Sequence, residues 1–218
     1  MSNSSLADRY QWVLERVDSA ANRAGRNPSD ICLIAVSKGA EVNDIRTLYD
    51  LGHRDFGESR LQHAIPKVEQ LPDDIIWHFI GPLQSNKVKK VAEHFSVVHS
   101  LCTDSQLQAF RKCDRLVQAL IEVDLAGEEQ KEGLTTGELP DFVRKASEIP
   151  SLQLRGLMTI GAFGAPIELT RKWFKELKQL LSGVPGATWL SMGMSDNFEL
   201  AIEEGATHIR VGSAIFEP

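Results

Sequence analysis

The chain has 218 residues, 42% of them hydrophobic and 25% charged, with a formal net charge of -6. That length supports one substantial core, and the acidic balance argues against a general nucleic-acid surface. No apolar run approaches the ~20 residues that cross a bilayer, and Met1-Ser2-Asn3-Ser4-Ser5 leads into a charged amphipathic segment, not a signal-peptide core.

No Pro/Gly/Ser-rich linker or charge block divides the sequence, so residues 1–218 read as a single domain, expected in the cytoplasm. Three cysteines, Cys32, Cys102 and Cys113, have no metal-ligand spacing and cannot all pair. They predict inert thiols in a reducing compartment and no metal centre.

In chain order, a helix comes first, with Leu6, Tyr10, Val13, Val17, Ala20 and Ala24 on one face. The run Ile31 to Val36 predicts a buried strand ending at Ser37-Lys38, and Val42, Ile45, Leu48 and Tyr49 mark the helix after it. The alternation continues. Strands are predicted near 53–57, 75–80, 97–101, 116–124, 152–159, up to Leu190, and from Thr207 to Val211. Amphipathic segments separate them, Thr103 is positioned to cap one, and Asp196 with Glu199 has the spacing of a capping box. Eight such units predict a (β/α)8 barrel of the TIM type with an extra N-terminal helix. A doubly wound open sheet is the alternative.

A barrel brings the C-terminal ends of its strands to one mouth, where α/β folds place their chemistry. Lys38, Glu58, His78, Thr159, Ser191 and Gly212 then share that end. A strand-end lysine either binds phosphate as a cation or, as the neutral amine, condenses with a carbonyl. Gly212-Ser213 follows the last strand and Ser191-Met192-Gly193-Met194-Ser195 follows the seventh, the positions where barrels often hold phosphate. Arg210 reads as a structural ion-pair residue or as a fixed donor into the mouth. His78, between Trp77 and Phe79, reads more simply as a hydrogen-bonded packing residue than as a base, and Glu58 as an anchor of the site or the partner of a cation. Lys87, Lys89 and Lys90 read as a local basic patch or, more simply, as a solvated helix face.

Several segments together resemble the YggS/PROSC family of pyridoxal phosphate homeostasis proteins. The longest is Trp77-His78-Phe79-Ile80-Gly81-Pro82-Leu83-Gln84-Ser85-Asn86-Lys87. Others are Ala35-Val36-Ser37-Lys38, Phe56-Gly57-Glu58, Arg155-Gly156-Leu157-Met158, Leu190 to Asp196, and Arg210 to Phe216. The resemblance runs through essentially the whole chain. It implies a barrel like the N-terminal domain of alanine racemase, with pyridoxal 5'-phosphate (PLP) held as a Schiff base on Lys38. It further implies that Arg210 faces the pyridine nitrogen or the phosphate, that Ser191, Met192, Gly212 and Ser213 hold the phosphate, and that His78 lies at the cofactor. The implied role is to carry or buffer PLP and regulate vitamin B6 and amino-acid and keto-acid balance, without established turnover. Two positions depart from the family pattern: Ser59-Arg60 stands where Asn-Tyr is common, and Gly39 where threonine is common.

An arginine at the ring nitrogen would favour the unprotonated pyridine and so a weaker electron sink. A single barrel domain would leave the cofactor face open, as suits a monomeric carrier that exchanges PLP with apo PLP-dependent enzymes. Two competing readings remain: a PLP-dependent amino-acid racemase or lyase with weak activity, and, on fold analogy alone, a Schiff-base aldolase acting on a phosphorylated sugar.

Overall fold

The structure is a computed structural model that describes residues 4–127, 132–162 and 164–217; Met1–Asn3 of the leading segment lie outside them. Eight strands, β1 Cys32–Val36, β2 Asp55–Glu58, β3 Ile76–Phe79, β4 Val97–Leu101, β5 Val117–Glu122, β6 Leu152–Met158, β7 Trp189–Ser191 and β8 His208–Val211, pair in parallel in sequence order. Strand β8 closes back on β1, with Ile34 opposite Arg210 and Ala35 opposite Val211. The sheet is therefore a closed barrel, and the open-sheet alternative is excluded.

The helices are α1 Leu6–Arg23, α2 Val42–Asp50, α3 Leu61–Val68, α4 Val88–His94, α5 Asp104–Phe110, α6 Leu139–Ser147, α7 Ile167–Leu180, α8 Phe198–Glu203 and α9 Ser213–Phe216. Helix α1 opens with a capping box in which Ser5 and Asp8 each satisfy the other's backbone amide, and it buries Tyr10, Val13, Val17 and Ala20. Thr103 and Gln106 form the same device at α5. The Asp196–Glu199 box predicted for α8 does not form. Asn197 takes the cap position and accepts the Met194 amide at 2.8 Å, while Glu199 turns away to hold both Nε and Nη2 of Arg16 on α1 at 2.9 and 2.7 Å. A bidentate pair with arginine outcompetes a local turn of backbone.

The main core lies between the strands and the surrounding helices. Inside the barrel, Val97, Leu120 and Met158 form a small separate apolar cluster with Ile160 and Trp189. Apart from inward-facing residues of β1 such as Ile34 and Val36, much of the rest of the interior is polar, an arrangement developed below.

The 77–87 segment is shaped by backbone proximity. Gly81 crosses so close to the loop after β2 that an added Cβ would lie 2.2 Å from the Ser59 carbonyl oxygen. Its own carbonyl accepts the Ser100 hydroxyl at 2.6 Å, and Gln106 Nε2 donates to the Leu83 carbonyl at 2.7 Å. Gly81→Ala is expected to destabilise the fold by about 1–3 kcal/mol, the range for overpacking, because backbone has to move. Gly39→Ala, where a Cβ meets nothing within 4 Å, is the control and is expected within ~0.5 kcal/mol of the parent. Denaturant titration of both variants measures the difference.

Candidate functional site

The side chains that enter the barrel are fixed by strand alternation. An added Cβ at Gly57 would lie 2.8 Å from Ile34 and 3.6 Å from Val36, and one at Gly212 would lie 3.2 Å from Val36. Ile34, Val36, Gly57 and Gly212 thus share the inner face. Lys38 is next in the same alternating series, just beyond the end of β1. It is exposed at the C-terminal rim, where the chain turns and the Ala40 amide donates to the Ser37 carbonyl.

A buried cluster holds that rim in place. The Ser37 hydroxyl donates to Glu58 Oε1 at 2.7 Å, and Lys67 Nζ donates both to Glu58 Oε1 at 2.8 Å and to the Ser37 carbonyl at 2.7 Å. Glu58 is fully buried, and its Oε2 has no hydrogen-bond partner. Glu58 therefore pairs with a cation from α3, as one of its two sequence readings held. Lys67 itself carried no sequence signal, since it looks like any lysine on an amphipathic helix.

The loops after β7 and β8 are tied together at Ser195. The Gly212 and Ala214 amides both donate to its Oγ at 3.3 Å, so two backbone donors converge on one oxygen at the mouth. Gly193 adopts φ +91 and its carbonyl accepts the Arg210 amide at 3.0 Å. Ser213 is exposed beside this pair. Met192 is not: its side chain is fully buried in the core outside the barrel, so only its backbone reaches the mouth.

Beneath the mouth, Arg210 is 5% exposed and donates through Nη1 to Ser191 Oγ at 2.6 Å and through Nη2 to the Thr159 carbonyl at 2.9 Å. Burial pulls its guanidinium down to about 10, against the opposing charge of Glu122, so it remains a cation at neutral pH. From Ser191 a chain of side chains crosses the barrel. His99 Nδ1 lies 2.9 Å from Ser191 Oγ, His99 Nε2 lies 3.0 Å from His78 Nδ1, and His78 Nε2 lies 3.0 Å from Asp55 Oδ1. Burial, reinforced by His78, His208 and Arg210, holds the His99 imidazole well below its ordinary value, so it is neutral and carries one N–H. The chain can then run in only one direction at a time. In one of the two directions, Ser191 donates to His99, His99 to His78, and His78 to the Asp55 carboxylate. Burial acts to raise the Asp55 carboxyl, but the hydrogen bond and charge of His78 and the charge of His53 outweigh it, leaving the group below its ordinary value.

His78 is thus buried mid-barrel with both ring nitrogens engaged, rather than presented at the mouth. The structure brings Lys38, Gly212 and Ser213 to the rim, and Ser191, Arg210 and Thr159 to the layer below. Sequence reasoning missed His99, Asp55, Glu122 and Lys67. His99 sits in Val97-Val98-His99-Ser100-Leu101, and a polar pair inside an otherwise apolar strand was the signal available. Cys32, Asp55 and His78 also converge, at the opposite end of the barrel. They lie on three strands, so linear spacing does not reveal them.

An amine, a buried cation and two convergent amides around a glycine cradle suit an anionic aldehyde such as PLP. A Cβ at position 212 would press on Val36, so the absence of a side chain there leaves room for an anion to reach the amides.

Comparison with known proteins agrees with this geometry. Residues 11–217 match the model of the alanine racemase N-terminal domain family. The chain is 40% identical to the pyridoxal phosphate homeostasis protein of Pseudomonas aeruginosa, over 98% of this chain and 95% of that one. It is 36% identical to the protein of the same name from Escherichia coli K12, over 98% and 96%. Among solved structures, PipY of Synechococcus elongatus with PLP bound superposes with a TM-score of 0.79 at 34% identity, covering 94% of this chain and 99% of that one. Alanine racemase from E. faecalis shares the fold, with a TM-score of 0.73 at 16% identity, covering 94% of this chain and 57% of that one. The chain has an alanine racemase N-terminal-type barrel, and it belongs to the pyridoxal phosphate homeostasis protein family.

The Glu58–Lys67 pair gives a direct test of how the rim is held. Lys67→Met leaves a buried carboxylate without its cation, and is expected to cost about 3–5 kcal/mol. Combining it with Glu58→Gln should recover part of the loss, since the uncompensated charge is then gone. Equilibrium unfolding of the two single variants and the double variant completes the cycle.

Proposed function

We propose that this protein binds PLP at the C-terminal mouth of the barrel and carries or buffers it, contributing to vitamin B6 and amino-acid and keto-acid homeostasis. The observation that carries this reading is the rim lysine facing two stitched phosphate-type loops above a buried arginine. The PLP bound by the PipY structure and the names of the relatives support it. Lys38 would hold PLP through its aldehyde, and the cofactor would present a phosphate dianion to the loops. Gly212 and Ser213 offer backbone donors to that phosphate, Ser191 and Met192 shape the loop beside it, and Arg210 supplies fixed positive charge from below. His78 acts at one remove, orienting Ser191 through His99.

The site favours holding over turnover. Proton abstraction beside the cofactor needs a base within hydrogen-bond reach. Both nitrogens of His78 are committed inside the barrel, and the Glu58 carboxylate is tied to Ser37 and Lys67. An arginine stays charged and only donates, so it cannot stabilise a protonated ring nitrogen. We take residues 1–218 as one monomeric, cytoplasmic barrel domain, with apo PLP-dependent enzymes as recipients. Among the described residues, no helix is long and apolar enough to cross a membrane.

The purified protein is expected to be yellow, and borohydride to fix the cofactor on Lys38. Peptide mass mapping reads the position, and label on another lysine with none on Lys38 would overturn the assignment. Arg210→Gln is expected to weaken PLP retention about 10- to 150-fold in equilibrium dialysis, the value of a charged hydrogen bond of about 1.5–3 kcal/mol. Unchanged affinity would make Arg210 purely structural.

Turnover separates carrier from enzyme. α-Deuterium exchange and racemisation across a panel of L-amino acids are expected to stay at background. Robust exchange abolished by His78→Ala would make this a PLP enzyme instead. In a parallel assay, PLP-loaded protein is expected to activate a PLP-dependent apoenzyme even with a scavenger of free PLP present. Complete block by the scavenger would reduce the role to buffering.

A further inference from the structure

The opposite end of the barrel carries a second group of chemically competent side chains. The N-terminal ends of β1, β2, β7 and β8 surround an open cavity of about 670 Å³ lined by Cys32, Asp55, His53 and His208 among others. There the Cys32 Sγ, an Asp55 carboxylate oxygen and a His78 ring nitrogen all lie within 4.8 Å of one another. Cys32 and Asp55 are partly exposed to the cavity, while His78 backs them from the interior.

We propose that Cys32, Asp55 and His78 form a binding site for a zinc-class divalent cation at the N-terminal floor of the barrel, with a cavity water as fourth ligand.

Ligand chemistry selects the metal. A thiolate, an imidazole and a carboxylate form a mixed S/N/O set that suits zinc and its neighbours, not magnesium or calcium. Charge balances as well, because one thiolate and one carboxylate neutralise a divalent ion in a half-buried place. Bond lengths of about 2.0–2.3 Å in a tetrahedron put ligand atoms roughly 3.3–3.8 Å apart. His78 Nε2 and Asp55 Oδ1, at 3.0 Å, need to part slightly, and the third atom needs to close by at most about 1–1.5 Å to reach tetrahedral spacing.

The surroundings also accommodate the change. His78 gives up its Nε2 proton to bind metal and carries its proton on Nδ1. His99 Nε2 then accepts from His78, His99 Nδ1 donates to Ser191, and the hydrogen-bond chain reverses without breaking. An outer partner that fixes the ligand tautomer is the usual companion of a metal-bound histidine. The thiol proton leaves through the cavity. Without metal, burial and then the charge of Asp55 push the Cys32 thiol well above its ordinary value, so an oxidation-sensing role for it is the weaker reading.

Cobalt(II) is the probe. Untagged full-length protein, stripped of carbonyl ligands with hydroxylamine and dialysed, is titrated with Co²⁺ and then with Zn²⁺. Saturation near one equivalent is expected, with a thiolate-to-cobalt charge-transfer band that zinc bleaches. Cys32→Ser should abolish the band, and Asp55→Asn should weaken binding by at least the ~10–100-fold that even an outer-sphere partner contributes. X-ray absorption at the zinc edge of the parent protein needs no variant, and one sulfur among nitrogen and oxygen neighbours is expected. A shell without sulfur, a charge-transfer band that survives Cys32→Ser, or no saturable binding would each overturn the site and leave the three side chains as a hydrogen-bonded cluster.

Discussion

The structure turns on a cation buried inside the barrel. Desolvating a guanidinium costs several kcal/mol, and the cost is tolerable only if every donor aimed inward finds an acceptor. Arg210 meets that condition with the Ser191 hydroxyl and the Thr159 carbonyl, and with the charge of Glu122 nearby. Ser191 accepts from Arg210 and makes a second hydrogen bond with His99. From there the chain continues through His78 to Asp55. A positive end at the mouth and a carboxylate at the floor are thus linked by a continuous chain of hydrogen bonds whose proton positions depend on one another.

This network explains why the barrel interior is asymmetric. The strands β4 to β6 contribute the apolar residues Val97, Leu120 and Met158, which pack as an ordinary plug. The polar side is built from β2, β3, β7 and β8, with His99 reaching across from β4. The two loops that stitch to one another at Ser195 follow β7 and β8, directly above the polar side. A rigid interior beneath those loops keeps the arginine fixed in the mouth, so its position does not depend on mobile loop residues. In a site read as holding a phosphate-bearing aldehyde, preformed charge lowers the ordering cost of binding.

Much of the fold was legible because barrel strands and their helices alternate with distinct periods. The polar interior was not, and the reason is physical. A strand buried on both faces reads as a continuous apolar run, so alternation does not reveal which residues point inward. Cys32 and Ile34 lie on the inner face and Leu33 and Ala35 outside, yet all four look alike in Ile31 to Val36. The end of the strand was informative because Lys38 breaks the run. Asp55, His78 and His99 come together only through parallel register, in which Gly57 lies opposite His78 and His78 opposite Val97. Glu199 shows the converse error: local spacing suggested a cap, but Arg16, far away in sequence, offered two charged hydrogen bonds.

The same network bears on why a barrel of this type would hold a cofactor without exploiting it. Catalysis by a carbonyl cofactor requires a group that can take a proton at the reacting carbon and give it back. Among the described residues three histidines face the interior: His208 lies at the floor, away from the rim, while His78 and His99 each bridge two partners in a chain that begins at a buried cation. Freeing His78 for such work would leave His99 and Asp55 without their partner, and freeing His99 would leave Ser191 and Arg210 short of theirs. Each release carries the penalty of an unsatisfied buried polar group, about 1–3 kcal/mol for a neutral one and more for a charged one. The chain that starts at the arginine therefore engages both His78 and His99. At the rim stand an exposed lysine and backbone amides gathered at Ser195, which on the proposed reading is chemistry for capture and release.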